Sequence, residues 1–134
     1  MDRSRVLIVD DDDRVRFVLH RALLKLSDEC KVLTAGNTRD ALELTKRGDF
    51  DLVIADLGLD EMSGLRFTRA LKRIDGETMV IWITVDDCDE LQTAAHRLAV
   101  HECLEKPLEI SDFRQAVREA LAEIEASNTK TSEV

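Results

Sequence analysis

The chain has 134 residues, of which 44% are hydrophobic and 35% charged. This is the size of one ordinary domain with enough burial for a single core, and it excludes a second domain of usual size. Nineteen basic residues against 28 acidic ones leave a net charge of −9, which repels nucleic acid and anionic membrane surfaces and argues against direct nucleic-acid binding.

In chain order, Met1-Asp2-Arg3-Ser4-Arg5 is followed by only four apolar residues, Val6-Leu7-Ile8-Val9. That is too short for a signal peptide, and no apolar run reaches the ~18 residues of a membrane span, so no membrane insertion is expected. Val6–Val9 opens a series of short apolar runs that continues with Val32-Leu33, Leu52-Val53-Ile54-Ala55, Met79-Val80-Ile81-Trp82-Ile83 and a weak Cys103-Leu104. Unbroken runs rich in Val and Ile predict strands buried on both faces, as in a parallel sheet. Helical rhythms lie between them. The first is Val15, Val18, Leu19, Ala22, Leu23 and Leu26; the second, brief, is Ala41, Leu42 and Leu44. The third is Leu65, Ala70, Leu71 and Ile74, and the fourth Leu91, Ala94, Ala95 and Leu98. The fifth and clearest is Ile110, Phe113, Val117, Leu121 and Ile124, with Ser111-Asp112 placed as its cap. Asp12 or Asp13 is placed to cap the first helix. Asp86-Asp87 and Asp89-Glu90 read as the acidic first turn of the fourth.

The order is therefore β-α repeated five times. Connections of this length require parallel strands, and right-handed crossovers bring every strand's C-terminus to one edge. Helices must cover both faces. Residues 4–125 form the domain, and 126–134, polar and without an apolar period, are expected to be a flexible tail or the start of a linker. Cys30, Cys88 and Cys103 are odd in number, widely spaced and without a CxxC pattern. They are expected to form neither a disulfide framework nor a zinc site, and a reducing cytoplasm is the expected location. His20, His96 and His101 lack ligand spacing and read as ordinary surface or half-buried residues. Trp82 reads as core.

The residues that follow each strand carry the chemistry. Asp10-Asp11 follow the first strand, Asp56 ends the third, Thr84 ends the fourth and Lys106 follows the fifth. The second ends in Thr34-Ala35 without a charge, as suits an edge strand. In an open α/β sheet, ligands bind outside these carboxyl ends. Three carboxylates gathered there would repel one another and call for a hard divalent cation, Mg²⁺ or alternatively Mn²⁺. A carboxylate that also faces a cation, a hydroxyl and a lysine can act as a nucleophile toward phosphorus. The set describes a phosphoryl-accepting site.

The segments Val6-Leu7-Ile8-Val9-Asp10-Asp11-Asp12, Asp51-Leu52-Val53-Ile54-Ala55-Asp56, Met62-Ser63-Gly64-Leu65, Ile83-Thr84 and Glu105-Lys106-Pro107 together resemble the receiver domain of bacterial two-component response regulators, over nearly the whole chain. The resemblance implies an α/β, flavodoxin-like (βα)5 three-layer sandwich with parallel sheet order 2-1-3-4-5. It implies Asp56 as phospho-acceptor, Asp11 as a direct Mg²⁺ ligand, Asp10 as one acting through water, and the Gly58 carbonyl as a backbone ligand. Thr84 and Lys106 match the hydroxyl and the ammonium that meet the phosphoryl group, and Lys106-Pro107 matches a peptide that is commonly cis. The implied partners are a sensor histidine kinase or histidine phosphotransfer protein as donor and a downstream effector or output domain as receiver of the signal. The face of the fourth helix, fifth strand and fifth helix would serve for a homodimer.

Three positions depart from the family's pattern. Asp60 stands where proline is frequent. Val85 stands where a small residue is usual and would narrow access to the pocket. Cys103 stands at the switch position usually held by Tyr or Phe, where a thiol cannot reproduce the aromatic's inward swing. Two other functions compete. A haloacid-dehalogenase-type phosphatase would use Asp10 as nucleophile, but that family's lysine precedes its second acidic pair, whereas Lys106 follows Asp86-Asp87. A phosphorylation-independent interaction domain would not need the acidic, hydroxyl and lysine set that this chain retains.

Overall fold

The computed structural model describes residues 3–58 and 64–132. Five strands, β1 (Ser4–Val9), β2 (Cys30–Ala35), β3 (Leu52–Asp56), β4 (Met79–Thr84) and β5 (Glu102–Glu105), form one sheet. All neighbours run parallel, in the order β2-β1-β3-β4-β5. The helices are α1 (Asp13–Leu23), α2 (Thr38–Arg47), α3 (Gly64–Ile74), α4 (Gln92–Arg97) and α5 (Ile110–Ser132), with a 3₁₀ turn at Leu24–Leu26. This is the three-layer flavodoxin-like sandwich expected from the sequence.

The period of two along each strand divides the core. Val6 and Ile8 of β1, Leu52 and Ile54 of β3, and Ile81 and Ile83 of β4 face one side. There they pack with Leu19, Ala22 and Leu23 of α1 and with Phe113, Val117 and Leu121 of α5. Leu7, Val9, Val53, Ala55, Val80 and Trp82 face the other side, against Ala41 of α2 and Phe67 and Leu71 of α3. Every one of these strand residues is at most 1% exposed. The central strands therefore read as continuous apolar runs, while the edge strands β2 and β5 mix polar and apolar residues. Trp82 is fully buried, and its indole N–H donates to Thr68 Oγ1 at 2.8 Å; the Thr68 hydroxyl in turn donates to the Gly64 carbonyl at 2.8 Å. Gly64 is where α3 meets the end of β3. A Cβ there would lie 2.8 Å from Leu57 Cα, so only glycine allows this close approach.

Asp12 caps α1, accepting from the backbone N–H groups of Arg14 and Val15 at 2.8 and 3.3 Å. Four details differ from the sequence reading. α5 begins at Ile110, with Phe113 N donating to Glu109 O, so Ser111 and Asp112 lie inside its first turn and do not cap it. α5 also continues to Ser132; the segment expected to be a tail from 126 is helical that far, because polar residues extend an established helix at little cost. α4 starts only at Gln92, and Asp86, Asp87, Asp89 and Glu90 lie in the turns before it. Finally, Cys88 and Cys103 form a disulfide, against the expectation from cysteine count. The β4–β5 pairing brings them together, and Cys88 N–H also donates to Glu105 Oε1 at 2.8 Å. Cys30 is a buried free thiol.

Replacing Trp82 with Phe removes a buried indole and leaves the Thr68 hydroxyl without its donor. We predict that Trp82→Phe lowers unfolding free energy by roughly 1–3 kcal/mol, read by urea denaturation followed by circular dichroism. A midpoint equal to wild type would show that the indole contact adds nothing.

Candidate functional site

Parallel pairing carries the polar residues after β1, β3, β4 and β5 to one rim. Asp10 extends the β1 ladder by donating its N–H to Ala35 O at 3.2 Å; Leu57 N–H, after β3, donates to Ile83 O at 2.8 Å. Lys106 N–H, after β5, donates to Thr84 O at 2.7 Å. These bonds hold the loop starts in place, so the side chains at the rim are positioned by the sheet itself.

Asp10, Asp56 and Thr84 are buried, at 1%, 6% and 1% exposure. Asp56 Oδ1 accepts from Gly58 N–H at 2.7 Å, and Asp56 Oδ2 accepts from the Lys106 ammonium. A Cβ at Gly58 would lie 3.2 Å from Asp56 Oδ1, so the missing side chain leaves room for this carboxylate. Asp10 Oδ1 accepts from Asp12 N–H at 2.9 Å, whereas Asp10 Oδ2 is buried and has no hydrogen-bond partner among the described residues. Asp11 is exposed at the rim, near enough for its charge to act on Lys106. The Thr84 hydroxyl accepts from Asp86 N–H at 2.9 Å. The Lys106–Pro107 peptide is cis.

The charges explain the titration. Burial, reinforced by the Asp56 carboxylate, pushes the Asp10 carboxyl up to about 6, although the Asp12 N–H and the Lys106 charge oppose this. Partial burial pulls the Lys106 ammonium down, but the Asp56 hydrogen bond and the charges of Asp56, Asp10 and Asp11 outweigh it, and the net shift is upward. The rim thus holds a concentrated negative charge that one lysine only partly neutralises.

A divalent cation fits this chemistry. The orphaned Asp10 Oδ2 beside Asp56 is an acceptor-only group without a donor, the condition a hard cation relieves. Among the described residues, however, no three acidic, His or Cys side chains stand close enough to form a ready-made metal cluster. Asp10 and Asp56 are adjacent, and Asp11 remains at the solvent edge.

Of the variant positions, Val85, directly after Thr84, is 75% exposed. Cys103 is half-buried and bonded to Cys88. Asp60, with Met62 and Ser63 of the expected motif, lies outside the described residues. His101 Nδ1 lies 3.1 Å from Glu123 Oε2, away from the rim. Sequence reasoning missed Arg16, whose guanidinium donates to the Asp10 carbonyl at 2.7 Å and pairs with Asp13 Oδ1 at 2.5 Å. Its signal was faint: a basic residue one turn into the helix that follows the acidic loop.

A family profile for the response regulator receiver domain matches residues 6–118. The chain belongs to this family. The receiver resembles the transcriptional regulatory protein YkoG of Bacillus subtilis, at 29% identity over 135 residues, covering all of this chain and 57% of YkoG. It also resembles the response regulator PilR of Pseudomonas aeruginosa, at 30% over 121 residues, 90% of this chain but 27% of PilR. The chain spans little more than half of one of these relatives and about a quarter of the other. Among solved structures, the signal receiver domain of a LuxO repressor-type protein from Vibrio parahaemolyticus superposes with a TM-score of 0.86 at 23% identity, over 96% of this chain and 97% of that one. That of an HD domain-containing protein from Pseudomonas fluorescens gives 0.83 at 25%, over 93% and 99%.

The raised Asp10 pKa has a stability consequence. Its carboxyl binds its proton more tightly folded than unfolded, so the metal-free receiver loses stability as pH rises from the ordinary value of 3.8 through about 6. We predict that Asp10→Asn stabilises the metal-free domain at neutral pH by roughly 1–3 kcal/mol, with the advantage gone near pH 4. Urea unfolding in EDTA across that range measures it. An advantage independent of pH would assign the effect to packing.

Proposed function

We propose that this receiver accepts a phosphoryl group on Asp56 from the phosphohistidine of a sensor histidine kinase or histidine phosphotransfer protein. The observation that supports this best is the pairing of Asp56, a buried carboxylate, with the Lys106 ammonium beside Asp10, one of whose carboxylate oxygens lacks a donor.

Asp10, Asp11, Asp56 and the Gly58 carbonyl would hold Mg²⁺, or alternatively Mn²⁺. When bound, such an ion neutralises charge on the transferring phosphoryl oxygens. The chain's own residues do the rest. Gly58 N–H fixes one oxygen of Asp56 and so aims the other. As the carboxylate oxygen attacks phosphorus, a new O–P bond forms and the P–N bond to the donor imidazole breaks, with the electron pair returning to the ring. The Lys106 ammonium starts on the carboxylate and follows the negative charge onto the phosphoryl group. The Thr84 hydroxyl, accepting from Asp86 N–H, keeps its own proton to donate to a phosphoryl oxygen. Its movement would carry the change into the β4–α4 loop. Decay of the acyl phosphate by water returns the free carboxylate.

This reading makes the domain a signalling switch and not a turnover enzyme. The phosphatase alternative fares worse, because Lys106 pairs with Asp56 and not with Asp10. An interaction domain independent of phosphorylation gives no reason for burying these charges together. The reading puts the domain in the cytoplasm with its donor. It passes the signal to an effector or output domain, with the α4-β5-α5 face as the surface for that contact or for a homodimer.

With acetyl phosphate and Mg²⁺, intact mass should show one added phosphoryl group on the wild type, none on Asp56→Ala, and none on the wild type in EDTA. Equal incorporation into Asp56→Ala would overturn the assignment. Val85, exposed directly after Thr84, should hinder entry of both small donors and water. Val85→Ala is therefore expected to raise the rates of phosphorylation and of decay several-fold, and unchanged rates would remove Val85 from any gating role.

A further inference from the structure

Two cysteines far apart in sequence meet at the loop on which the Thr84 response depends. Cys88 lies in the turn after β4, and Cys103 lies in β5 opposite Trp82 of β4. Their Cα atoms are 5.9 Å apart, within the range a disulfide requires. Both residues are half-buried, unlike Cys30, which is sealed in the core at 2% exposure. The Cys88–Cys103 bond closes a loop that contains the whole of α4. On the Cys88 side, its N–H donates to Glu105 Oε1 at 2.8 Å, and Asp86 N–H donates to the Thr84 hydroxyl at 2.9 Å. The bond therefore ties β5 to a segment two residues from the backbone group that holds Thr84.

We propose that Cys88 and Cys103 form a reversible dithiol–disulfide site whose oxidation locks the β4–α4 loop and weakens the response of Thr84 and α4 to the phosphoryl group on Asp56. The coupling half of this inference rests on the function proposed above; the thiol chemistry does not. A disulfide in a cytoplasmic protein is typically transient and regulatory, and partial exposure gives a second thiol or disulfide access to the pair. The oxidant is a neutral small-molecule disulfide or a protein disulfide, because Asp86, Asp87 and Asp89 around Cys88 repel anionic ones. One protein thiolate attacks the oxidant's S–S bond, forming a mixed disulfide and releasing one thiolate. The second protein thiolate then attacks the protein sulfur of that mixed disulfide and expels the other. Two electrons pass from the cysteines to the oxidant, the two cysteine protons are released, and the two departing thiolates take up protons. A dithiol reverses the sequence. Oxidised, the loop is held against β5; reduced, it is free to follow Thr84.

The test uses the wild-type chain, Cys88→Ser, Cys103→Ser and the double variant. Each is incubated with 2-hydroxyethyl disulfide and 2-mercaptoethanol, quenched with acid, alkylated and weighed intact. The wild type should lose two hydrogens and two alkylation sites, and each single variant should carry only a mixed disulfide. Failure of the wild type to close an internal bond in excess oxidant would overturn the site. Binding of Mg²⁺ with beryllofluoride, followed by Trp82 fluorescence and by calorimetry, then reads the coupling. Reduced protein and the double variant should bind alike, and oxidised protein about five-fold or more weakly. Equal affinity of oxidised and reduced protein would overturn the coupling. Absence of binding by either form would overturn the proposed function and the coupling with it, while the mass measurement would still decide the thiol site.

Discussion

The direction of the strands governs this molecule. Because all five run parallel, their carboxyl ends share one rim, and whatever the sequence places after β1, β3, β4 and β5 is brought together there. The packing that holds the sheet is insulated from that rim. Val6 to Val9, Leu52 to Ala55 and Val80 to Ile83 supply two apolar cores on opposite faces and contain no charged side chain. The polar chemistry begins one residue beyond, or at the last residue of, each strand. The rim can then carry buried charges that would be costly inside the core.

Those charges conflict as much as they cooperate. Asp10 and Asp56 are both buried and adjacent, and a single ammonium, from Lys106, binds only the second. Asp10 absorbs the conflict, with one oxygen unpartnered and its pKa raised. Strain of this kind is unfavourable for folding and useful for binding. A rim left with excess negative charge gains the most from a cation that neutralises it. Arg16 donates to the Asp10 carbonyl and not to its carboxylate.

The parallel strands and the rim residues were legible because both follow from local periodicity and from what stands next to each apolar run, whereas the sheet order came only from the family resemblance. Asp10, Asp56, Thr84 and Lys106 were found because each is adjacent to a strand end. What could not be read depends on contacts across the sheet. β2 showed only as Val32-Leu33 but runs from Cys30 to Ala35, because the exposed edge positions Lys31 and Thr34 interrupt its apolar run. The Cys88–Cys103 bond was not seen because cysteine spacing along the chain says nothing about register. One signal was available: Cys88 falls shortly after the end of one strand and Cys103 within the strand expected beside it. The fourth helix was read too long, since its stripe from Leu91 to Leu98 does not reveal that Asp86, Asp87, Asp89 and Glu90 lie in the turns before it.

Among the described residues, the departures from the family's pattern fall on one side of the site. The acceptor half, Asp10, Asp11, Asp56, Gly58 and Lys106, keeps the expected residue types. Val85 and Cys103 flank the other half, where β4 hands over to α4 and where β5 faces it. On the proposed function, chemistry at Asp56 draws on β1, on β3 and on Lys106 after β5, and transmission away from it draws on β4, α4 and the body of β5. Such a division lets the transmission side change without disturbing the nucleophile. With Cys103, bonded to Cys88, in place of a swinging aromatic, β5 offers no ring to follow Thr84. On the proposed function, motion passed to the α4-β5-α5 face would then travel through the backbone of the β4–α4 loop, the segment that Glu105 and Cys103 hold against the sheet.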